Sequence, residues 1–552
     1  MTSVFDRQVA VAGTAAKEGG GLAGPLMLLL AALLSFTLLK QGTDFIAVER
    51  LNLIFVWCGV IGLLTLIFLP VRYDAMPPYA KTALRGGAIF LAFYFIVEPF
   101  AIPYVTVPLD HPAVQFHSHV RWVAVPLALL GLWRPAPVFA GAMVLWMTRG
   151  LHSELTGFYF SDLDIRNIAE ILSFWTIGFV FIAVAARFAV KARALGLAGP
   201  ERARAAIIIF AAGLGAHFAN YFWSGLAKLW MDGGITSWLF DNQLADGIPG
   251  ALEKGTLPYA FSPELVQIAY DGLYALQIPV NIAAFGLQII AIAAPVRKKW
   301  LLLATIGYDI FHIAVWLALG LLFWKWIALN LIITAVLVAM PDEVWTKTAR
   351  VTSIVFVVIG MLLFRTATLA WYDSPGFTSP YFVAQLEGGE QVRIPNAYFR
   401  SSSYQVSQGR LWWPGEDGHF RHSIWGSVLS YDDLDAGRRC EAREIEADAQ
   451  PLYGPPSRLA EFIRAYHTQS ERLFDERGRL AYYRVPHHHV PSPFVADAFY
   501  DIDKRAIDTY LFRLDSVCLG IEDGRLTRRV LKRTEVPLYD PQADRLLTEE
   551  GA

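Results

Sequence analysis

Lys228 stands near the end of the apolar run IIIFAAGLGAHFANYFWSGLAKLW. A cation there is costly unless it has a partner or a task, which makes it a functional candidate. If residues 204–230 form one helix, His217, Tyr221, Ser224 and Lys228 fall on one face, a polar stripe that must turn toward protein or water. A lysine buried in such a place loses the solvation of its charged form, and a neutral amine is a usable general base. The competing explanation is that its long stem carries the ammonium group out to the lipid headgroups.

A second group is Tyr308-Asp309-Ile310-Phe311-His312, in which Asp309 and His312 are neighbours on a helix face. They suit a proton relay or ligand site, and equally a satisfied pair that fixes packing. His117 and His119 have metal-compatible chemistry, but two histidines two apart are a weak metal signal, and interfacial solvation explains them better. His487-His488-His489 sits in a Pro-bounded loop and reads as a polar turn. The chain has no nucleotide loop, nucleophile elbow or zincin motif.

These residues need elements to hold them, and the composition says which. Of the 552 residues, 55% are hydrophobic and only 17% charged, with mean hydropathy +0.39. That is a polytopic α-helical membrane protein whose first partner is the lipid bilayer. Net charge is −2 and no long basic run occurs, which argues against nucleic acid as a partner.

Apolar runs of roughly spanning length recur near 25–40, 51–71, 84–105, 119–133, 136–151, 168–187, 205–230, 272–294, 301–320, 322–340 and 351–371, predicting about eleven spans. Alternating them puts the basic loops Arg72/Lys81/Arg85, Arg187–Arg204 and Arg297–Lys299 on one side, the cytoplasmic one. Residues 1–24 then form a cytoplasmic segment, 25–372 the helical domain, and 373–552 an extracytoplasmic α+β domain in which strands dominate. In that last part the expected elements are a helix at 456–474, strands at 509–518 and 528–533, and a turn at Asp523-Gly524. An oxidising compartment makes Cys440 and Cys518 candidates for a disulfide.

The stretch Tyr221-Phe222-Trp223-Ser224-Gly225-Leu226-Ala227-Lys228-Leu229, followed by Trp238, resembles the Tyr-Phe-x-small-Gly-x-x-Lys-Leu…Trp motif of the horizontally transferred transmembrane (HTTM) domain. That family includes the vitamin K-dependent gamma-carboxylases, and Phe311-His312 is similar to its Phe-His pair. The resemblance covers about residues 50–340. It implies that Lys228 is the base that deprotonates a reduced quinone resembling vitamin K hydroquinone, with His312 in support. Oxygenation of the quinol would then drive carboxylation of a secreted or envelope polypeptide, which is lyase and oxidoreductase chemistry. His217, Tyr221 and Asp309 join the catalytic set from the helix faces, and Ser224, Trp223, Trp238, His117 and His119 are the candidate cofactor contacts. The residue before the lysine is Ala227, where the vertebrate enzyme has a second lysine. Two other readings compete: a non-catalytic protein for maturation, immunity or assembly of an envelope partner, and a transporter, which the lack of an internal repeat weakens.

Overall fold

The computed structural model describes residues 21–46, 50–97, 104–157, 163–403, 406, 418–420, 426–442, 455–471, 474–479, 491–492, 494 and 497–548. Most of the expected N-terminal segment and the triplet His487–His489 lie outside the described residues.

The helical part begins with α1 (Ala23–Asp44), α2 (Ile54–Phe68), α3 (Pro78–Val97), α4 (Pro112–His119), α5 (Arg121–Leu130), α6 (Ala136–Thr156), α7 (Leu163–Arg187) and α8 (Ala189–Ala194). It continues with α9 (Gly199–Ala227), α10 (Gly234–Phe240), α11 (Gly247–Glu253), α12 (Pro263–Ala275), α13 (Gln277–Ile289), α14 (Lys298–Leu319), α15 (Trp324–Ala339) and α16 (Lys347–Ile359). Among the described residues six helices are long and apolar enough to cross a bilayer, or seven if the bent pair α12 and α13 counts as one span. Their length and composition are those of an integral membrane protein.

The difference from eleven has local causes. The run at 119–133 yields only the ten-residue α5, with Pro126 inside it, and the run at 351–371 stops being α-helical at Ile359. α15 has 16 residues. The run at 272–294 is broken by a 77° bend. Pro279, in the first turn of α13, lacks the N–H that would continue α12's hydrogen bonding.

α9 is the central helix, buried almost throughout. Pro200 and Glu201 suit its first turn, where missing donors and negative charge are tolerated or favoured. Its small residues let neighbours approach closely. A Cβ on Gly215 would lie 2.8 Å from the Phe356 Cβ of α16, with the Ser353 carbonyl nearer still. Gly215→Val is expected to cost at least about 1–3 kcal/mol through overpacking. Thermal unfolding in detergent checks this, and an unchanged midpoint would contradict the contact.

The three basic loops gather at one end of the bundle. There the Tyr79 hydroxyl bonds the Ala203 carbonyl at 3.5 Å, Gly24 abuts Gly196, and Trp345 bonds the Pro295 carbonyl at 2.8 Å. Lys228 and the strand-containing domain lie at the other end. That domain consists of β1 (Tyr372–Asp373), β2 (Gly376–Leu386), β3 (Gln391–Arg393), β4 (Ser427–Val428), α17 (Tyr431–Arg439), α18 (Pro456–Ser470), β5 (Ile507–Glu522), β6 (Arg525–Asp540) and β7 (Arg545–Leu546). Five strands form an antiparallel sheet in the order β3-β2-β5-β6-β7, and β1 pairs with β4. Asp523 and Gly524 make the β5–β6 turn with φ of 48° and 70°, the positive values a two-residue hairpin requires. Cys440, at the end of α17, is disulfide-bonded to Cys518 of β5, with Cα atoms 5.6 Å apart.

The sheet rests on the helical part through buried charge. Glu253 accepts from Ser379 at 2.9 Å and Arg393 at 2.7 Å, and it pairs with Arg528 at 3.3 Å. Lys254, beside it, donates to Ser379 at 3.2 Å. Burial first, then the Arg393 guanidinium, pushes Lys254 down to about 7, while Glu253 opposes the shift. Between about pH 7 and the ordinary value of 10.5, the unfolded chain therefore holds a proton that the folded chain lacks. Stability should rise with pH across that window, and Lys254→Met should reduce the rise in a denaturation series, leaving the part contributed by Lys228, which burial also pushes down to about 7.

Candidate active site at the end of the central helix

After α16 the chain from Arg365 to Trp371 is in neither helix nor strand, and the amides of the alternate residues Arg365, Ala367 and Leu369 face the same way, as in an extended chain. Its backbone is instead held by side chains of α7 and α9. The Arg365 amide donates to Glu170 at 2.5 Å, and its carbonyl accepts from Asn167 at 2.6 Å. The Ala367 amide donates to Asn220 Oδ1 at 2.8 Å, and the Leu369 amide to Ser224 Oγ at 2.9 Å. The Leu369 carbonyl accepts from Lys228 Nζ at 3.2 Å. Asn220, Ser224 and Lys228 are four apart and so form one edge, a side-chain substitute for the missing strand.

That edge also borders a cavity of about 310 Å³ between α9, α13, α14 and the extended segment. Tyr221, Ser224, Lys228, His312, Trp238 and Asp373 supply chemistry to a wall that is otherwise mostly apolar. Lys228 follows the last residue of α9 and is 5% exposed. Besides Leu369, its Nζ donates to Gln288 Oε1 at 2.9 Å and to the Ser224 carbonyl at 3.1 Å, and it lies 4.8 Å from the Trp238 ring centroid. All three oxygen partners are uncharged. Burial pushes Lys228 down to about 7, opposed by the Asp373 charge.

A second polar chain runs deeper along α9. His217 Nε2 meets Asn330 Oδ1 at 2.8 Å, Asn330 Nδ2 donates to the Tyr221 hydroxyl at 3.0 Å, and that hydroxyl meets His312 Nε2 at 3.0 Å. With the amide so oriented, Tyr221 donates to His312, whose proton is then on Nδ1. Turning the amide over reverses the chain. The Tyr221 ring stacks on Tyr308 at 3.6 Å between centroids, which fixes its plane. Buried His312 Nδ1, His217 Nδ1 and Asp309 Oδ1 have no hydrogen-bond partner among the described residues.

The expected single stripe is thus two. His217 and Tyr221 face α14 and α15, whereas Ser224 and Lys228 serve the extended segment, and Tyr221, Ser224 and Lys228 share the cavity with His312 and Trp238. Asp309 lies beside Asn330 and outside the cavity wall. Trp223, expected at the cofactor, bonds the Val358 carbonyl at 3.2 Å and stacks on Trp230, away from the cavity. His117 and His119 lie on α4 and do not line the cavity either. His117 packs against Tyr104 and His152, and His119 bonds Gln115 of its own helix. Asn220, Gln288, Asn330 and Asp373 were missed. The two asparagines and Gln288 are single amides in apolar runs, a signal available from the cost of burying them. Neither a family model, a curated protein nor a solved structure matches the chain.

Proposed function

We propose that this chain is an integral-membrane enzyme of the HTTM type that uses Lys228 as a base on a lipid-soluble quinol, coupled to modification of an extracytoplasmic substrate such as a secreted or envelope polypeptide. The observation that carries the reading is a buried amine, held by neutral acceptors, at the edge of an apolar cavity. A reduced quinone fits the donor set: its ring and tail suit the apolar wall, and its two oxygens suit Lys228 and the unpartnered His312 Nδ1. When bound, such a group supplies an acidic phenolic proton and the electrons for oxygen chemistry.

The residues divide the work. The neutral Lys228 amine accepts the phenolic proton, and the ammonium it becomes has three N–H for Gln288 Oε1 and the Ser224 and Leu369 carbonyls. Trp238 lies under the resulting ammonium group. Tyr221 sets the tautomer of His312, and the apolar wall keeps water from the base. Ile310 lines the cavity and is 63% exposed, so the cavity reaches the apolar outer surface of α14, where a lipid-soluble ligand would enter sideways. The eleven-crossing topology, with a cytoplasmic N-terminus and the sheet domain outside, belongs to this proposal.

The test is incubation of purified protein with a panel of reduced quinones under oxygen, following quinol loss and epoxide formation by mass spectrometry. Turnover that depends on Lys228 supports the reading, and none in well-folded protein counts against it. A non-catalytic role is the second reading, favoured by the clamp that Asn220, Ser224 and Lys228 place on residues 367–369. Under it Lys228 serves stability alone.

A further inference from the structure

The proton accepted by a buried base must leave it. Lys228 has no charged partner on α9 or α13, and its hydrogen bonds end at neutral oxygens. On the same cavity wall, Asp373 is 3% exposed and lies where the extended segment enters β1. Its Oδ1 accepts from Trp371 Nε1 at 3.1 Å, and its Oδ2 accepts from Asn242 Nδ2 at 3.3 Å. Its backbone amide donates to Asn242 Oδ1 at 2.7 Å, so the carboxyl is held in place from both sides.

Two indoles join this group to the lysine. Lys228 Nζ lies over Trp238, Trp238 Nε1 bonds the Trp371 carbonyl at 3.0 Å, and the Trp371 indole bonds Asp373. Behind Asp373 the chain at Asp246-Gly247 passes close, since a Cβ on Gly247 would lie 3.8 Å from Asp373 Oδ1. Asp246, 9% exposed, interacts electrostatically with Asp373 on one side and with Arg438 of α17 on the other. Arg438 is exposed and donates to the Asp241 carbonyl. The charged groups facing the pair are therefore Lys228 across the cavity and Arg438 at the surface, with Tyr270 of α12 beside Asp246.

We propose that Asp373 and Asp246 are a carboxyl pair that holds one proton between them and carries the proton taken up by Lys228 from the cavity to the aqueous surface beside Arg438. This rests on Lys228 being a base. In each cycle the Lys228 ammonium gives a proton to the Asp373 carboxylate and becomes the free amine again. With the pair's own proton on Asp246, Asp246 gives that proton to water, and Asp373 then passes its proton to the Asp246 carboxylate, which restores the single shared proton. No electrons move. Burial, strengthened at Asp246 by the neighbouring Asp373 charge, pushes both carboxyls up to about 7, the range of the amine they serve. Asp246 is next to Gly247, whose Cβ position is 3.8 Å from Asp373 Oδ1, and two carboxyls that interact electrostatically have coupled titrations.

Infrared titration of the full chain in lipid nanodiscs, from about pH 5 to about pH 9, reads the shared proton without any quinol. The wild type should gain the carbonyl stretch of a protonated carboxyl as pH falls through about 7. Asp373→Asn should weaken that band. Asp246→Asn should keep a band but lower its midpoint, because a neighbouring negative charge is gone, and Lys228→Met should raise it, because a neighbouring positive charge is gone. A wild type with no protonated carboxyl at about pH 6, a band indifferent to Asp373→Asn, or a midpoint indifferent to Lys228→Met would overturn the proposal. If quinol turnover fails while the titration behaves as expected, only the base assignment falls, and the linked carboxyl pair stands.

Discussion

Lys228→Arg should abolish quinol-dependent turnover, a fall of about a thousandfold, in a protein that stays folded. Arginine keeps donors for Gln288 and for the Leu369 carbonyl but stays protonated at any accessible pH, so it clamps without accepting a proton. Lys228→Met removes both roles and should cost about 1 kcal/mol of stability for each net hydrogen bond lost, in addition to the turnover. Comparing quinol loss with thermal midpoint for the two variants separates base from clamp. If the enzyme reading is right, the rate of Lys228→Arg collapses while its midpoint stays near the wild type's. If the arginine variant turns over at the wild-type rate, Lys228 is only a clamp.

The second large effect is expected at the disulfide. Cys440 and Cys518 close a loop with a sequence separation of 78 residues, so removing the bond should cost about 4 kcal/mol in the chain-entropy account. Chemical denaturation of the wild type with and without reductant, beside Cys440→Ser/Cys518→Ser, measures it. The same bond tests sidedness, because a disulfide persists on the oxidising side of a membrane. In intact cells an impermeant thiol reagent should label Cys440 only after reduction. Labelling that needs membrane disruption would place the sheet domain inside and remove any extracytoplasmic substrate.

The sequence made half of the site legible. Lys228, Tyr221 and Ser224 could be grouped because four-residue and three-residue steps bring them to one side of a helix, and these three do share the cavity with His312. Trp223 followed the motif in sequence but not in space, since two helical steps from Tyr221 turn it toward α16. Asn330 and Gln288 come from other helices, and which turns they face is decided by packing that no single run records. The hairpin at Asp523-Gly524 was readable because its turn chemistry is local. The span count was less so: hydropathy registers apolar runs, whereas six of the described helices, or seven with the bent pair, are long and apolar enough to cross on their own.

The clamp on residues 365–369 carries a consequence for how the protein is made. Glu170, Asn167, Asn220, Ser224 and Lys228 are all synthesised well before the backbone that satisfies them. Until that segment arrives, Glu170 keeps Lys40 and Arg166, Asn220 keeps Asn167, and Lys228 keeps Gln288, but each lacks the backbone partner that completes its hydrogen bonding inside an otherwise apolar bundle. The last stretch to leave the helical region therefore acts as a closing seam. Its docking brings the sheet domain to the cavity and ties completion of the site to completion of the chain.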